Sequence, residues 1–380
     1  TADPQRQTIP PRGSVVFEHT FKVREPRLWG PKSPALYTAT ATVANGGSGG
    51  KPAGAKAATD RNADDDEEDS GVLDNCSTRF GFRKIEFTPN YGMYLNGRRM
   101  PLRGVNLHHD LGPLGAAFSR PLMRRRLLQM KRMGANAIRT SHNPAAPEVL
   151  DLCDELGLMV VNELFDKWDA TADLHEEDRF EPFMRRQVEN FVRRDYNHPC
   201  VIAWSIGNEI RPVQRGPAEQ QKPRVDFMVD TFKRFDSTRP ITMACNLVEV
   251  LEQDTLEDLD LLSWNYGRKH AKSKQLYPKK PTICSESAST VSTRGQYALP
   301  LATSKTDFDE ARTQVGSHDL NAPPWADVAD IDLERLERDQ YCAGEFVWTG
   351  FDYLGEPTPY NDAWSQKIAG DLTASARSSY

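Results

Sequence analysis

Short apolar runs alternate with longer amphipathic stretches along the chain from about residue 100 onward. Eight runs have the length and β-forming composition of strands: MPLRGVNL, NAIRTS, LMVVNEL, VIAWSIGNE, ITMAC, LDLLSWNYG, PTICSES and EFVWTGF. The stretches VIAWSI and LMVV are apolar almost throughout, which is typical of strands that are covered on both faces of a parallel sheet. Helical patterns separate most of the runs. The stretch LMRRRLLQMKRM, for example, follows Ser119-Arg-Pro and stops at Gly134, which are start and stop signals of a helix.

Eight such units in about 280 residues predict an α/β fold, a (β/α)8 or TIM barrel. The alternative is a doubly wound open sheet, but no Gly-rich phosphate-binding turn follows the first strand.

The pattern before residue 89 is different and indicates a second domain. SVVFEHTFKV and ALYTATATV, between Val15 and Val43, resemble strands, and strand-like sequence resumes at STRFGFRKIEFTP before the Asn-Gly turn of YLNGRR. Between them, residues 45–71 contain almost no bulky apolar side chain, which predicts a disordered insertion. We therefore expect an antiparallel β-sandwich, or part of one, at residues 1–88 and the barrel at residues 89–380.

Charge and cysteine content exclude several function classes. The net charge of −6 equals the six negative charges of DDDEED at residues 64–69, so the rest of the chain is near neutral and a nucleic-acid partner is not expected. No run of 18 or more apolar residues is present, so no membrane span is expected. The six cysteines are scattered without a CxxC pair, which favours buried free thiols over a disulfide framework or a zinc site. Localisation and oligomeric state are not indicated.

Polar or aromatic residues stand at the ends of seven of the eight predicted strands. The carboxyl ends of barrel strands form the floor of the active site, so this agreement indicates a pocket, although any one residue alone would suit a structural role. The residues are Asn106, His108, His109, Arg139, His142, Glu163, Asp166, Asn208, Glu209, Tyr266, Glu286 and Trp348.

Glu209 and Glu286 stand on the fourth and seventh predicted strands, on opposite sides of the barrel mouth. Two facing carboxylic acids suit glycoside hydrolysis, in which one attacks the anomeric carbon and the other protonates the leaving oxygen. The retaining form of this mechanism needs carboxyl groups about 5 to 5.5 Å apart. Trp348 and Tyr266 suit sugars, whose apolar faces stack on aromatic rings.

Five motifs together resemble glycoside hydrolase family 2, and most of all its β-galactosidases: RTSHNP, HPCVIAWSIGNE, SWNYG, ICSES and FVWTGFDYLGEPTPY. The stretch RFGFRKIEF…YLNGRRMPLRGVNLHHD resembles the family's passage from an immunoglobulin-like domain into the barrel. The resemblance implies a partial immunoglobulin-like β-sandwich before the barrel. It also implies a fragment without the family's jelly-roll domain and without the last barrel helix.

The resemblance also implies roles for individual residues. Glu209 would be the acid/base and Glu286 the nucleophile of a retaining, exo-acting hydrolase of terminal β-D-galactosides. The residues implied for sugar binding are Asn208 at the 2-hydroxyl, Tyr266 beside the nucleophile, Arg139 and His142 at the subsite wall, and Trp348 as a platform. His108 and Asp166 are also assigned to the substrate site. A structural role in the barrel rim explains these two residues equally well.

Alternatives remain open at this stage. A β-glucuronidase would carry an Asn-x-Lys motif, which this sequence lacks; a β-mannosidase fits the motifs less well. A non-catalytic carbohydrate-binding barrel is the alternative from another class, but it would not need the nucleophile. No cofactor is expected, and we assign no metal ligand. Some β-galactosidases hold Mg²⁺ through an acid and a His after the third strand, whereas NELFDKWD supplies Asp166 but has Trp168 in place of the His.

Overall fold

Seven short strands precede the barrel in the computed structural model, which describes residues 4–44, 72–168, 177–292, 295–297, 299–307, 315–351 and 353. They are β1 (Trp29–Gly30), β2 (Ser33–Pro34), β3 (Tyr37–Ala44), β4 (Val72–Phe80), β5 (Ile85–Thr88), β6 (Gly92–Leu95) and β7 (Arg98–Arg99). All their pairings are antiparallel: β1 with β2, β3 with β4, and β5–β6–β7 as a three-stranded sheet. The predicted Asn-Gly turn joins β6 to β7, with Asn96 at φ 53° and Gly97 at φ 76°, the left-handed conformation that such a hairpin requires.

The predicted strand SVVFEHTFKV is wrong. Residues 14–23 form no strand, and Val16 and Phe21 are exposed to 79% and 61%. A strand is stabilised by its pairing and by burial of one face. No described strand pairs with this segment, so its β-forming composition alone does not make it a strand.

Eight parallel strands close into a barrel, which confirms the predicted TIM barrel and excludes the doubly wound sheet. They are β8 (Leu102–Leu107), β9 (Ala137–Thr140), β10 (Met159–Glu163), β11 (Val201–Asn208), β12 (Ile241–Cys245), β13 (Leu261–Asn265), β14 (Thr282–Ala288) and β17 (Cys342–Trp348). Each overlaps one of the eight runs predicted from the sequence, although β14 ends one residue beyond its run and β17 begins three residues before its run. Two further short strands, β15 (Thr306–Asp307) and β16 (Asn321–Ala322), pair with each other outside the barrel.

Helices cover the barrel: α1 (Arg120–Met133), α2 (Pro147–Leu156), α3 (Glu177–Asp195), α4 (Arg211–Arg215), α5 (Ala218–Phe235), α6 (His270–Leu276) and α7 (Ala329–Arg338). Three 3₁₀ turns occupy Gly112–Leu114, Val248–Glu252 and Asp254–Leu256. Helix α1 begins after Ser119 and ends at Gly134, whose φ of 108° confirms the predicted stop. Within the described part of the chain, no helix combines the length and apolarity needed to cross a bilayer.

The core fills the barrel and the layer between strands and helices. Gly104 of β8 shows how tightly it is packed, because a Cβ at this position would lie 2.2 Å from the ring of Phe346. The N-terminal strands close onto the barrel's amino-terminal end, where the fully buried Trp29 donates from Nε1 to the carbonyl of Asp154 at 2.9 Å.

The division predicted at residue 88 falls between β5 and β6 of one sheet. The two-domain division stays a prediction. The insertion at 45–71 and the end of the chain, residues 354–380, lie outside the described residues, so the expected lack of the last barrel helix stays a prediction.

Candidate active site

The carboxyl ends of the barrel strands bring most of the predicted site residues into one buried layer. Strand register pairs Asn106 with Arg139 and Asn265 with Glu286. Two positions just after strands have positive φ, 47° at Glu209 and 53° at Tyr266. This conformation is uncommon for residues other than glycine and turns the chain sharply at the barrel mouth.

Arg139 is the centre of the layer. It is 1% exposed, and its Nη1 donates to Glu286 Oε1 and Asn106 Oδ1, each at 2.9 Å. Its Nη2 donates to Glu163 Oε2 at 2.8 Å and to Asn208 Oδ1 at 3.0 Å. Burial alone would lower the pKa of Arg139, but the carboxylates of Glu163 and Glu286 raise it. Arg139 therefore stays charged and positions residues of four strands at once.

Glu163 is fully buried and completely bonded. Besides Arg139 it accepts from Ser205 Oγ at 2.6 Å, and its Oε1 lies 2.7 Å from His142 Nδ1. Burial would raise the pKa of Glu163, but Arg139, followed by His142, lowers it to about 2. Glu163 is a permanent anion that holds Arg139 and His142 in place, and it offers no free oxygen to a ligand.

Glu209 and Asn208 are tied together by Asn265. The Nδ2 of Asn265 donates to Asn208 Oδ1 and to Glu209 Oε1, both at 2.9 Å. Burial, and then the negative charge of Glu286, raise the pKa of Glu209. Glu209 therefore holds a proton more readily than an exposed glutamate does.

Glu286 has the opposite environment. Its Oε1 accepts the bond from Arg139 and lies 3.6 Å from His142 Nε2, so positive charge faces this carboxylate. Hydrogen bonds from described residues to Glu209 and Glu286 all reach Oε1 of each. A second oxygen of each carboxylate therefore remains for a substrate.

Aromatic rings form one wall beside these carboxylates. The ring of His142 stacks on Trp348, with centroids 5.2 Å apart and planes 10° apart. His108 contacts Trp348 edge-on at 5.2 Å and lies 4.1 Å from the ring of Tyr353. His108, which the sequence analysis left between a binding and a structural role, thus belongs to the wall of the same pocket.

Tyr266 lies on the rim next to a half-exposed tryptophan. Its backbone N–H donates to the Glu286 carbonyl at 2.7 Å, and its ring meets Trp325 edge-on at 4.6 Å. An ion pair between Arg268 and Asp327 fixes the loop that carries Trp325.

Asp166 lies at the edge of the layer. It accepts from Asn208 Nδ2 at 3.1 Å and pairs with Lys167 at 2.6 Å, and its side chain is 44% exposed.

The residues after the third barrel strand do not fit a Mg²⁺ site of the kind that some β-galactosidases hold there. Trp168 is fully buried and donates from Nε1 to the Ile206 carbonyl at 2.9 Å. Asp166 is engaged by Lys167 and Asn208, and Glu163 by Arg139 and His142. We derive no step through a metal at this position.

One other group has metal-ligand spacing in the part of the chain that the structure describes, and it lies at the amino-terminal end of β11. Its members are Asp154, His198 and Cys200. Asp154 is already bonded from both oxygens, to His198 Nδ1 at 2.6 Å and to the Cys200 N–H at 2.9 Å. Burial raises the pKa of Cys200, and the bonds within the group give it a structural explanation.

Three residues of the candidate site were not predicted from the sequence: Asn265, Ser205 and Trp325. Asn265 and Ser205 are polar positions within strands that read as ordinary core sequence, and only the strand pairing shows that they face the glutamates. An Asn directly before the predicted Tyr266 was the available signal for Asn265. Trp325 lies in the loop between β16 and α7, where no periodicity marks it.

All six predicted free cysteines are free in the structure. Cys153, Cys200, Cys245 and Cys342 are buried, Cys284 is partly exposed, and Cys76, in β4, is exposed.

Two family profiles and several known proteins match the chain. The family profile described as "Glycosyl hydrolases family 2, TIM barrel domain" matches residues 88–363, and the profile "Glycosyl hydrolases family 2" matches residues 2–51. The chain is 33% identical to Beta-galactosidase BoGH2A of Bacteroides ovatus over 386 residues, covering 91% of this chain and 42% of that protein. It is 28% identical to Beta-glucuronidase of Chlorocebus aethiops over 302 residues, covering 76% and 44%.

Two solved structures are similar in fold and sequence. A beta-glycosidase from Bacteroides vulgatus matches with a TM-score of 0.67 and 29% identity, over 88% of this chain and 42% of that one. A second is Bacteroides uniformis beta-glucuronidase 2 covalently bound to cyclophellitol-6-carboxylate aziridine. It matches with a TM-score of 0.67 and 26% identity, over 87% and 38%. The chain therefore spans less than half of the length of these relatives.

Proposed function

Because the chain belongs to glycoside hydrolase family 2, we propose that it is the catalytic part of a retaining, exo-acting β-D-galactosidase. The observation that carries the proposal is the contrast between two neighbouring glutamates. Burial and Glu286 raise the pKa of Glu209, whereas Glu286 accepts a hydrogen bond from a buried guanidinium. Two carboxyl groups in opposite electrostatic environments are what acid and nucleophile roles require.

In the proposed reaction, the Glu286 carboxylate attacks the anomeric carbon of a terminal β-galactoside. Glu209 gives its proton to the leaving oxygen at the same time. A glycosyl-enzyme ester on Glu286 results. Water then attacks its anomeric carbon, with Glu209 as the base that takes the proton, and the sugar leaves with its original configuration. The mechanism requires carboxyl groups about 5 to 5.5 Å apart.

The surrounding residues supply binding and orientation. Asn208 is held by hydrogen bonds with Arg139, Asn265 and Asp166. Its amide is therefore fixed beside Glu209, where it hydrogen-bonds the 2-hydroxyl of the sugar. Trp348 and His142 form the platform for the apolar sugar face. No metal is part of the proposal.

A galactoside is preferred over a glucuronide because three basic groups near the glutamates, among the residues that the structure describes, are already bonded. Arg139 is shared among two carboxylates and two amides. Lys269 donates to the carbonyls of Asn265 and Tyr266 at 2.9 and 3.0 Å, and Lys167 pairs with Asp166. A sugar carboxylate would need an unengaged cation, and none of these three supplies one.

A β-glucuronidase is the second candidate, because relatives of that name match most of this chain. A panel of nitrophenyl glycosides separates the two. We expect turnover of the β-galactoside to exceed that of the β-glucuronide, and the reverse order would favour the second candidate.

A covalent label tests the nucleophile directly. The related β-glucuronidase is described as covalently bound to a cyclophellitol aziridine. We expect the galacto-configured aziridine to add one label to this protein and peptide mapping to place it on Glu286. The Glu148→Gln variant, altered at an exposed helix position, is the matched control and should label normally. A label on Glu209, or no label on a folded protein, would contradict the assignment.

A further inference from the structure

A pair of cysteine thiols lies behind Glu286, on the helix-facing side of strands β14 and β17. The Sγ atoms of Cys284 and Cys342 are 3.9 Å apart. The Nδ1 of His270, on α6, lies 3.3 Å from the sulfur of Cys284. On its other side, His270 Nε2 lies 3.0 Å from Asp339 Oδ2. The arrangement pairs two thiols with an oriented imidazole.

A small cavity gives access to the pair. It has a volume of about 20 Å³ and is lined by both cysteines, His270 and Glu345, and also by Tyr266 and Glu286 of the candidate active site. A space of this size holds about one water-sized molecule. Reagents much larger than water therefore do not fit.

The pair also differs electrostatically from the other buried cysteines. A hydrogen bond from Cys284, together with nearby His270, lowers the pKa of Cys342 to about 7. The same bond, followed by burial, raises the pKa of Cys284. Burial, followed by the negative charge of Glu209, raises the pKa of the thiol at Cys245, which has no such thiol partner. The pair thus favours ionisation of Cys342 over that of Cys284, and the thiolate is the reactive form.

We propose that Cys284 and Cys342 form a peroxide-sensitive modification site that closes a disulfide behind the strand carrying Glu286. The Cys342 thiolate attacks one oxygen of hydrogen peroxide, and the O–O bond breaks. Hydroxide leaves and takes a proton from solvent to become water, and Cys342 becomes a sulfenic acid. Cys284 then passes its proton to His270 and attacks the Cys342 sulfur. The S–O bond breaks, and the departing hydroxide takes that proton from His270 to become a second water. Two thiols are oxidised and one peroxide is reduced.

Closure of the disulfide bears on the active site through β14. The two sulfurs must move from 3.9 Å to about 2.05 Å, and Cys284 precedes Glu286 by two residues on the same strand. A misplacement of about 1 Å at a catalytic group can cost on the order of 100-fold in rate. Resting on the proposed function, we expect oxidation to lower galactosidase activity at least tenfold and dithiothreitol to restore it.

Mass spectrometry tests the site independently of any activity. The protein is treated with hydrogen peroxide, alkylated and digested. The expected result is a cross-linked peptide pair joining Cys284 to Cys342, with the loss of two hydrogen atoms, and dithiothreitol should abolish it. The exposed Cys76 should remain open to alkylation. Glutathione disulfide, which is too large for the cavity, should give no cross-link under the same conditions.

Variants define what would overturn the proposal. Cys284→Ser and Cys342→Ser should each prevent the cross-link, whereas the matched control Cys245→Ser, on β12, should retain it. Oxidation confined to Cys76, or a sulfinic acid on Cys342 without a cross-link, would overturn the site. A cross-link that leaves galactosidase activity unchanged would overturn the link to Glu286. If the reduced protein hydrolyses no galactoside, the proposed function fails, while the cross-link still decides the thiol site.

Discussion

Two buried polar networks lie at opposite ends of strand β11, and they differ in what they leave unbonded. The lower network, at the amino-terminal end, consists of Asp154, His198, Asp236 and Arg239. The upper network, at the carboxyl end, consists of Arg139, Glu163, Asn208, Asn265, Glu209 and Glu286. Both networks contain buried ion pairs in the same fold. Burial and charge alone therefore do not distinguish a ligand-binding site from a structural network.

The lower network is saturated. Asp236 accepts from Arg239 Nη1 at 2.5 Å and Trp204 Nε1 at 2.9 Å through one oxygen, and from Thr238 through the other. The remaining nitrogens of Arg239 donate to backbone carbonyls, including that of Val201 at 2.9 Å. Because each of these groups already has a protein partner, the lower network leaves none to bind a ligand. It stabilises the start of β11.

The upper network is saturated only in part. Arg139 and Glu163 are as fully engaged as the lower residues, but bonds from described residues reach only one oxygen of Glu209 and of Glu286. The second oxygen of each is not among the buried side-chain atoms that lack a partner, so solvent and a ligand can reach it. Spare, accessible acceptor atoms, rather than buried charges, therefore indicate the site.

Substitution of Glu286 or Glu209 should reduce turnover most, and the two variants should be impaired at different steps of the reaction. Glu286→Gln should abolish turnover of every substrate, because no glycosyl-enzyme can form. Glu209→Gln should lose about 10²- to 10⁴-fold on nitrophenyl β-galactoside. In that variant the nitrophenolate leaves without much protonation, but deglycosylation lacks a base.

Azide distinguishes the two roles. It needs no deprotonation, so it should restore turnover of Glu209→Gln and yield the β-galactosyl azide, which can be identified by NMR. Rescue of Glu286→Gln to a β-product, with none for Glu209→Gln, would reverse the assignment.

Breaking the lower network should affect stability instead of chemistry. Asp236→Ala leaves Arg239 buried without its carboxylate, and loss of one partner of a buried pair costs about 3 to 5 kcal/mol. We expect this loss in urea unfolding, with kcat/KM per folded molecule unchanged at a temperature where the variant is folded. Glu189→Gln, which removes an exposed pair with Arg193, is the control and should cost about 0 to 1 kcal/mol. A large loss of kcat/KM in folded Asp236→Ala would erase the contrast between the networks.

Acid titration should expose the saturated part of the upper network. The folded pKa of Glu163 is lowered to about 2, against an unfolded value of about 4.3. A lowered folded pKa contributes stability that is present above about pH 4.3 and is lost as the pH falls through about 2, here on the order of 3 kcal/mol. Glu163→Gln should therefore flatten the pH dependence of the unfolding free energy across that window. An unchanged slope would show that Glu163 is not the bonded anion described here.

The sequence predicted the barrel better than the site. All eight strands followed from apolar runs, because a parallel strand buried on both faces leaves an unmistakable pattern. Glu209 and Glu286 were predicted from carboxylates at strand ends and from family motifs, and their catalytic roles stay a prediction. Asn265 and Ser205 could not be distinguished from core positions, because their importance comes from strand register, a long-range property. The prediction of a strand at SVVFEHTFKV was wrong because β-forming residues form a strand only where a partner strand exists.

The smallest expected effect concerns the rim, where the leaving group of a substrate would lie. Trp325 is 41% exposed, lies edge-on to Tyr266 at 4.6 Å, and sits on a loop fixed by Lys305, which donates to the carbonyls of Pro323 and Ala326. A held, half-exposed indole suits stacking on a second sugar, a contact worth about 0.5 to 1.5 kcal/mol.

Trp325→Ala should therefore raise KM about two- to tenfold for galactosyl disaccharides. KM for methyl β-galactoside should stay the same, because that substrate has no second ring to stack. Trp325→Phe should recover most of the loss, and Tyr297→Ala, which removes a 70% exposed aromatic side chain, serves as the control. Equal changes in KM for the disaccharide and the methyl glycoside would mean that Trp325 acts on the glutamates through Tyr266. The rim would then belong to the upper network rather than to a separate sugar-binding surface.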